Sequence, residues 1–203
     1  MIFVQMLIGF MLNFTYLIGD EKSSIASVVD PAGEVDRILK EAEKFDLKIE
    51  YIINTHAHFD HTYGNDEIVS RTGAKIIMHE TSRAKKDISV GDGGLIEVGE
   101  LKIKVIHTPG HTPEGICLLV DKKLLTGDTL FVGGCGRADF LESNPKELFR
   151  SLQKLMKLDG DIEVYPGHDH GEKPYSTIDY EKNNNYALNF QTEEEFIKFM
   201  GKG

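Results

Sequence analysis

Residues 54–64 read Asn-Thr-His-Ala-His-Phe-Asp-His-Thr-Tyr-Gly, placing His56, His58, Asp60 and His61 within six positions. The stretch follows Ile49-Glu50-Tyr51-Ile52-Ile53, an apolar run with the length and composition of a buried strand that stops at Asn54. Imidazole nitrogens are borderline ligands suited to zinc, iron or manganese. His56 and His58 are two apart on a chain leaving a strand, so they point to one side together. Asp60 and His61 come after the bend and face a second point nearby. One short loop thus feeds two adjacent metal positions.

Three further fragments repeat the arrangement of a strand that ends in a turn bearing a ligand. His111 follows Ile103-Lys104-Val105-Ile106, Asp128 follows Lys122-Lys123-Leu124-Leu125, and His168 follows Ile162-Glu163-Val164. Alone, each is an ordinary loop residue. Together they add two histidines and one carboxylate, enough to complete two coordination shells.

Working outward, the N-terminal run MIFVQMLIGFMLNF is expected to be a buried first strand. It lacks the basic leader and small-residue cleavage site of a signal peptide. The segments FTYLI and SIASVV read as strands, and Pro31-Ala32-Gly33 as a turn. Val35, Ile38, Leu39 and Ala42 share one face of a helix over residues 34–45. Residues 55–64 are expected to form a polar loop, and AKIIMH another strand. Two strand pairs follow, joined at Gly99-Glu100 and at Asp121-Lys122. Asn144 caps a helix that has Pro145 at its first position and runs to about Met156. DIEVYPG is the last strand, and residues 178–188 and 193–200 are helical. This is mixed α and β in layers, and periodicity leaves open whether there is one sheet or two.

The chain has 203 residues, which suits a single domain spanning 1–203. Its net charge of -10 argues against a polyanion partner, and no apolar run reaches membrane-spanning length. The expected setting is cytoplasmic. The expected partner is a small molecule, neither nucleic acid nor a membrane, and a homo-oligomer is compatible with the sequence. Cys117, in an apolar run, reads as a buried strand residue. Cys135, in a Gly-rich loop, is a possible reactive thiol. That loop, Gly133 to Gly136, lacks a phosphate-binding arrangement and reads as a flexible site wall. His79 reads as structural, His170 as a loop residue, and His107 as either structural or a hydrogen-bond partner of a ligating histidine.

The order H-x-H-x-D-H, then His, Asp and His, resembles the ligand pattern of the metallo-β-lactamase superfamily, and it runs from 56 to 168. The resemblance implies a four-layer αββα sandwich with the metals at one edge, between the sheets. It implies two divalent metal ions, zinc first and iron or manganese as alternatives. His56, His58 and His111 would bind one ion, Asp60, His61 and His168 the other, and Asp128 would bridge both. NTHAHFDHTYGN, TPGHTPEGI, GDTLFVGGCGR and YPGHDHG are most similar to glyoxalase II, which hydrolyses thioesters such as hydroxyacylglutathione.

By that resemblance the activity is thioester hydrolysis by a metal-bridging hydroxide, with Asp60 and Asp128 catalytic and Arg137 and Lys182 meeting the substrate. The short segment after His168 and the non-aromatic Asp139 depart from that family and point away from glutathione as the thiol. Tyr175 lies in a tail that could reach the site. Residues 134–140 and 176–182 also resemble persulfide dioxygenases, in which one iron would be held by His56, His111 and Asp128.

Overall fold

The chain is described here from a computed structural model covering residues 1–201. The last two positions of the expected 1–203 domain, 202 and 203, lie outside the described residues. The elements in chain order begin with β1 (Ile2–Ile8), β2 (Asn13–Asp20), β3 (Ile25–Val29), α1 (Val35–Glu43) and β4 (Lys48–Ile53). Next come α2 (Phe59–Thr62), α3 (Asn65–Thr72), β5 (Lys75–His79) and β6 (Ile88–Val90). The second half holds β7 (Leu95–Val98), β8 (Leu101–His107), β9 (Ile116–Val120), β10 (Lys123–Gly127), β11 (Leu130–Phe131) and β12 (Gly134–Cys135). It closes with α4 (Pro145–Leu155), β13 (Glu163–Pro166), β14 (Ser176–Thr177), α5 (Ile178–Asn184), a 3-10 turn (Tyr186–Leu188) and α6 (Glu193–Met200).

There are two six-stranded sheets, ordered β1-β2-β3-β4-β5-β6 and β14-β13-β10-β9-β8-β7. Side chains alternate across a strand, so neighbours in sequence serve different layers. Tyr16 and Ile18 face the second sheet, whereas Leu17 between them faces the helices. Ile53 and Ile77 likewise point between the sheets, and Ile52, Ile76 and Met78 pack against α1 and α3 through Ile38, Ala42 and Ile68. In the second sheet Val105, Leu118 and Leu125 meet the first sheet. Cys117, Leu124 and Val164 turn outward to Leu148, Leu152, Ile178 and Phe196. Strands covered on both faces carry near-continuous apolar runs, such as YII in β4 and ICLLV in β9. Each buried aliphatic side chain of this kind stabilises the fold by roughly 1.5–3 kcal/mol. The arrangement is the expected αββα sandwich.

Several local readings need correction. The N-terminal run is not one buried strand. β1 is an edge strand with one neighbour, β2, and it is only partly covered. Residues 9–12 turn back, leaving Phe10 80% exposed. The stretch 55–64 is not all loop, because residues 59–62 form one helical turn. The helix expected over 178–188 breaks at Asn185, whose side chain is used elsewhere. Asn144 does cap α4, its Oδ1 accepting from the backbone N–H of Lys146 (3.1 Å) and Glu147 (3.2 Å).

Candidate metal centre

Strands β4, β10 and β13 end at the same edge of the sandwich. β3 and β4 are parallel neighbours in one sheet, as β10 and β13 are in the other. The chain leaving β4 carries His56 and His58 directly, and the α2 turn folds Asp60 and His61 back over the same point. His111 sits in the loop between β8 and β9, Asp128 just after β10, and His168 just after β13. Gly127 brings β10 close to β4. Its φ is +47°, and a Cβ there would lie 2.5 Å from Thr55 Oγ1.

The seven residues fall into two groups around Asp128. In the first, His58 Nδ1 is 3.1 Å from His56 Nε2 and 3.0 Å from His111 Nε2. In the second, His61 Nε2 and His168 Nε2 are 3.1 Å apart, and each is 3.4 Å from Asp60 Oδ2. Asp128 lies between them, with Oδ2 3.5 Å from His111 Nε2 and 3.3 Å from His168 Nε2, and Oδ1 3.4 Å from His61 Nε2.

The outward-facing ring nitrogens explain what these atoms are. His168 Nδ1 donates to the Met11 carbonyl at 2.9 Å, and His111 Nδ1 to the Arg137 carbonyl at 2.8 Å. His61 Nδ1 donates to Asp30 Oδ2 at 3.0 Å. Thr55 Oγ1 gives its own proton to Asp30 Oδ2 at 2.6 Å, and so accepts from His56 Nδ1 at 3.1 Å. A neutral imidazole with one nitrogen donating leaves a lone pair on the other. These hydrogen-bond networks therefore assign lone pairs to four Nε2 atoms aimed inward, at mutual distances where lone pairs repel. Asp128 Oδ1 is buried without a hydrogen-bond donor. Converging lone pairs and an orphaned carboxylate oxygen fit a cation, and the donor atoms of each trio lie within 4.8 Å of one another.

Electrostatics agree. Burial holds the His56 and His111 rings below the usual histidine range, in the neutral form that ligates. Burial acts against charge on Asp128 as well, yet the His61 and His168 rings facing it keep its carboxyl well below the usual range. Burial opposes protonation of His61 too, but Asp128 and Asp30 carry it well above the usual value, so with no cation between the groups a proton on its Nε2 takes the cation's place. The carboxylates thus draw positive charge into the centre.

Asp30 escaped the reading of the sequence. It is buried, in the left-handed backbone region at φ +49°, and it also accepts from Thr55 N at 2.8 Å. Its signal was an Asp at the end of a buried strand, SIASVVD, in a chain where three other strand ends carry ligands. Asn13 escaped as well; its Nδ2 donates to Asp60 Oδ2 at 2.8 Å.

Beside the centre opens a cavity of about 400 Å³. Arg137 lines it, over the Phe140 ring at 4.7 Å. Lys182 does not; its Nζ lies 3.7 Å from Asp179 and 3.5 Å from the Leu158 carbonyl. Tyr175 stacks on Tyr165 and Tyr186 reaches the cavity instead. His170 borders the cavity, stacked on His168. His107 is not a partner of a ligating histidine: it stacks on His79 at 4.0 Å and its Nε2 donates to the Pro113 carbonyl. The Gly-rich wall is a hydrogen-bonded ribbon, held by Asn185 on the Phe131 and Gly134 carbonyls and by Glu181 on Gly133 N. Cys135, expected as a possible reactive thiol, is buried there, and burial pushes its thiol up to about 12. Cys117 is buried in β9, as expected.

The sequence matches the model of the metallo-beta-lactamase superfamily over residues 8–86 and 81–168. It is 32% identical over 200 residues to the "probable polyketide biosynthesis zinc-dependent hydrolase BaeB" of Bacillus velezensis, covering 94% of this chain and 88% of that one. It is 34% identical to human mitochondrial persulfide dioxygenase ETHE1 (93% and 76% covered). To the hydroxyacylglutathione hydrolase of Brucella ovis it is 36% identical (94% and 71% covered). The crystal structure of ETHE1 from Myxococcus xanthus superposes with a TM-score of 0.94 at 35% identity, over 99% of this chain and 90% of that one. Among the described residues, no helix is long and apolar enough to cross a membrane. With the sandwich, the strand-end histidines and aspartates and these matches together, the chain belongs to the metallo-beta-lactamase superfamily.

Proposed function

We propose that the protein is a dinuclear metal-dependent thioester hydrolase. The observation that carries the reading is the second donor group: Asp60, His61 and His168 are assembled as completely as His56, His58 and His111, with Asp128 between. A mononuclear site would leave that second donor group without an ion. The hydroxyacylglutathione hydrolase and zinc-dependent hydrolase relatives support the same direction.

When bound, a divalent ion lowers the pKa of a coordinated water from 15.7 toward about 7 and polarises a carbonyl oxygen. The protein's own groups do the rest. Thr55, Asp30, Met11 and Arg137 fix the ring orientations through the bonds given above. Asn13 pins one oxygen of Asp60, leaving its carboxylate positioned to orient a water. The cavity walls hold the acyl group and thiol. In the net reaction a C–O bond forms from water and the C–S bond breaks. The thiol leaves with one proton, and the carboxylic acid releases another at neutral pH.

The second reading is an iron persulfide dioxygenase using His56, His111 and Asp128, favoured by the likeness to the two ETHE1 proteins. Elemental analysis combined with a thioester assay, with and without oxygen, separates the two. Two metals per chain and oxygen-independent cleavage are expected. One iron per chain, no cleavage, and oxygen uptake on adding a persulfide would favour the dioxygenase.

A further inference from the structure

Glu181 and Asn185 are wholly buried and lie one helical turn apart at the end of α5. Asn185 uses its whole amide. Its Nδ2 donates to Phe131 O at 3.1 Å, to Gly134 O at 2.9 Å and to Glu181 Oε2 at 2.7 Å, so two hydrogens are shared over three acceptors. Its Oδ1 accepts from Ala187 N at 2.9 Å, which fixes the way the amide points. Glu181 is satisfied in turn. Its Oε2 also accepts from Gly133 N at 2.9 Å, and its Oε1 from Ser176 Oγ at 2.5 Å.

Two walls of the cavity hang on this pair. The first is the ribbon of β11 and β12, held at Phe131, Gly133 and Gly134. Its Phe131 ring meets the His168 and His170 rings edge-on, at centroid distances of 5.9 and 5.4 Å. The second is Tyr186, which follows Asn185 and opens the 3-10 turn that the Asn185 side chain caps. The Tyr186 ring lies so close over Gly134 that a Cβ there would be 3.1 Å from its Cε1. The strands β11 and β12 are two residues each and pair only with one another. A two-stranded ribbon does not hold its own shape in water. Its buried carbonyls and N–H groups also need partners, which Asn185 and Glu181 supply.

We propose that Asn185, seated by Glu181, is the positioning residue of the cavity: it sets the ribbon and Tyr186 against each other and so fixes the wall beside His168 from the C-terminal segment. The placement of the wall does not depend on the reaction; its effect on KM rests on the hydrolase reading.

The test reads the two cysteines separately. Metal-loaded native protein is reacted with N-ethylmaleimide, and labelling of Cys135 and Cys117 is followed by peptide mass spectrometry. Cys135 belongs to the ribbon, whereas Cys117 is buried in β9. Asn185→Ala is expected to label at Cys135 at least about tenfold faster than the wild type, with Cys117 unchanged, because only the ribbon is released. Asn185→Ser is read in the same way if the alanine variant does not fold. Glu181→Gln is expected to keep Cys135 as protected as in the wild type. The glutamine oxygen faces Gly133 N and Asn185 Nδ2, and its Nε2 donates to Ser176 Oγ. Equal acceleration at both cysteines would show a general loss of stability and overturn the proposal, as would no acceleration at Cys135 or full release of Cys135 in Glu181→Gln. With phenyl thioacetate, Asn185→Ala is expected to raise KM at least about fivefold and leave kcat within about twofold. A wild-type KM in a variant whose Cys135 is released would also overturn it. If the wild type cleaves no thioester, the hydrolase reading falls and the labelling ratio alone decides the role of Asn185.

Discussion

Asp30 Oδ2 accepts a hydrogen bond from His61 Nδ1 at 3.0 Å, although Asp30 follows the end of β3 and His61 lies in the α2 turn, 31 positions away in sequence. The same oxygen accepts from Thr55 Oγ1, and the other oxygen from Thr55 N. One buried carboxylate thereby orients His61 directly and His56 through Thr55, one ring in each donor group. It is the link that keeps the two groups in register.

Removing that link is expected to weaken metal binding without altering any ligand. Asp30→Ala leaves the His61 ring free to rotate and two buried donors unsatisfied. Losing a partner of this kind typically costs 10–100-fold in metal affinity. Chelator competition, read by metal retained per chain, measures it. Asp30→Ala with wild-type retention would show that ring orientation is set elsewhere.

Metal removal is expected to destabilise the fold itself. Without an ion, His56 and His111 aim unprotonated nitrogens at one another's neighbourhood, and Asp128 Oδ1 is buried without a hydrogen-bond donor. At a free-metal level 100 times the dissociation constant, binding stabilises the native state by about 2.7 kcal/mol. Thermal unfolding with and without chelator should show a drop of several degrees, reversed by zinc. An unchanged Tm would mean the centre is indifferent to metal.

The candidate metal loop was legible because its four donors are neighbours in sequence and three of them are histidines, of which the chain has only 8. The other ligands were legible because each follows an apolar run at a strand end. The partners that orient the rings were not. Two of them, at Met11 and Arg137, are backbone carbonyls, and a carbonyl is present at every residue and marks nothing in a sequence. Asp30 is a lone acid far along the chain from the histidines it serves. Strand order was hidden for a similar reason. β10 pairs in parallel with β13 across the α4 crossover, a long-range pairing that periodicity does not encode. β6, three residues with mixed exposure, carries too little pattern to be seen.

Cys135 is expected to be inert in the native protein. It is buried in β12 and its thiol is raised to about 12, so almost no thiolate exists at neutral pH. An aromatic disulfide reagent should titrate it only after unfolding. Rapid modification of native protein at pH 8 would contradict the buried placement.

Gly110 is expected to tolerate no side chain. Its φ is +142°, and a Cβ would sit 2.3 Å from the Leu148 backbone on α4. Its carbonyl also accepts from Asn144 N at 2.8 Å, tying the His111 loop to the start of that helix. Gly110→Ala must move either α4 or the loop, and a loss of about 3 kcal/mol or more is expected from backbone strain and clash together. The urea midpoint measures it. A shift smaller than that of an exposed substitution such as Lys146→Ala would show that the contact relaxes freely.

Asp20 makes acid stability testable at a point away from the metal. Its Oδ2 accepts from Glu100 N at 2.9 Å and Ser23 Oγ at 2.7 Å, joining the end of β2 to the turn between β7 and β8. The hydrogen bond from the Glu100 backbone is the chief reason its carboxyl is lowered to about 2. In the unfolded chain the same group titrates near about 3.9. A folded value below the unfolded one means the contribution is fully present above roughly pH 4 and is lost as pH falls from there towards 2. Asp20→Asn keeps the size and removes the charge. The wild type should therefore melt higher than this variant by a constant margin between pH 5 and 7, and the margin should shrink as pH falls below 4. A margin that stays the same down to pH 3 would mean that the carboxylate is not ionised in these hydrogen bonds, or that the contact is not formed.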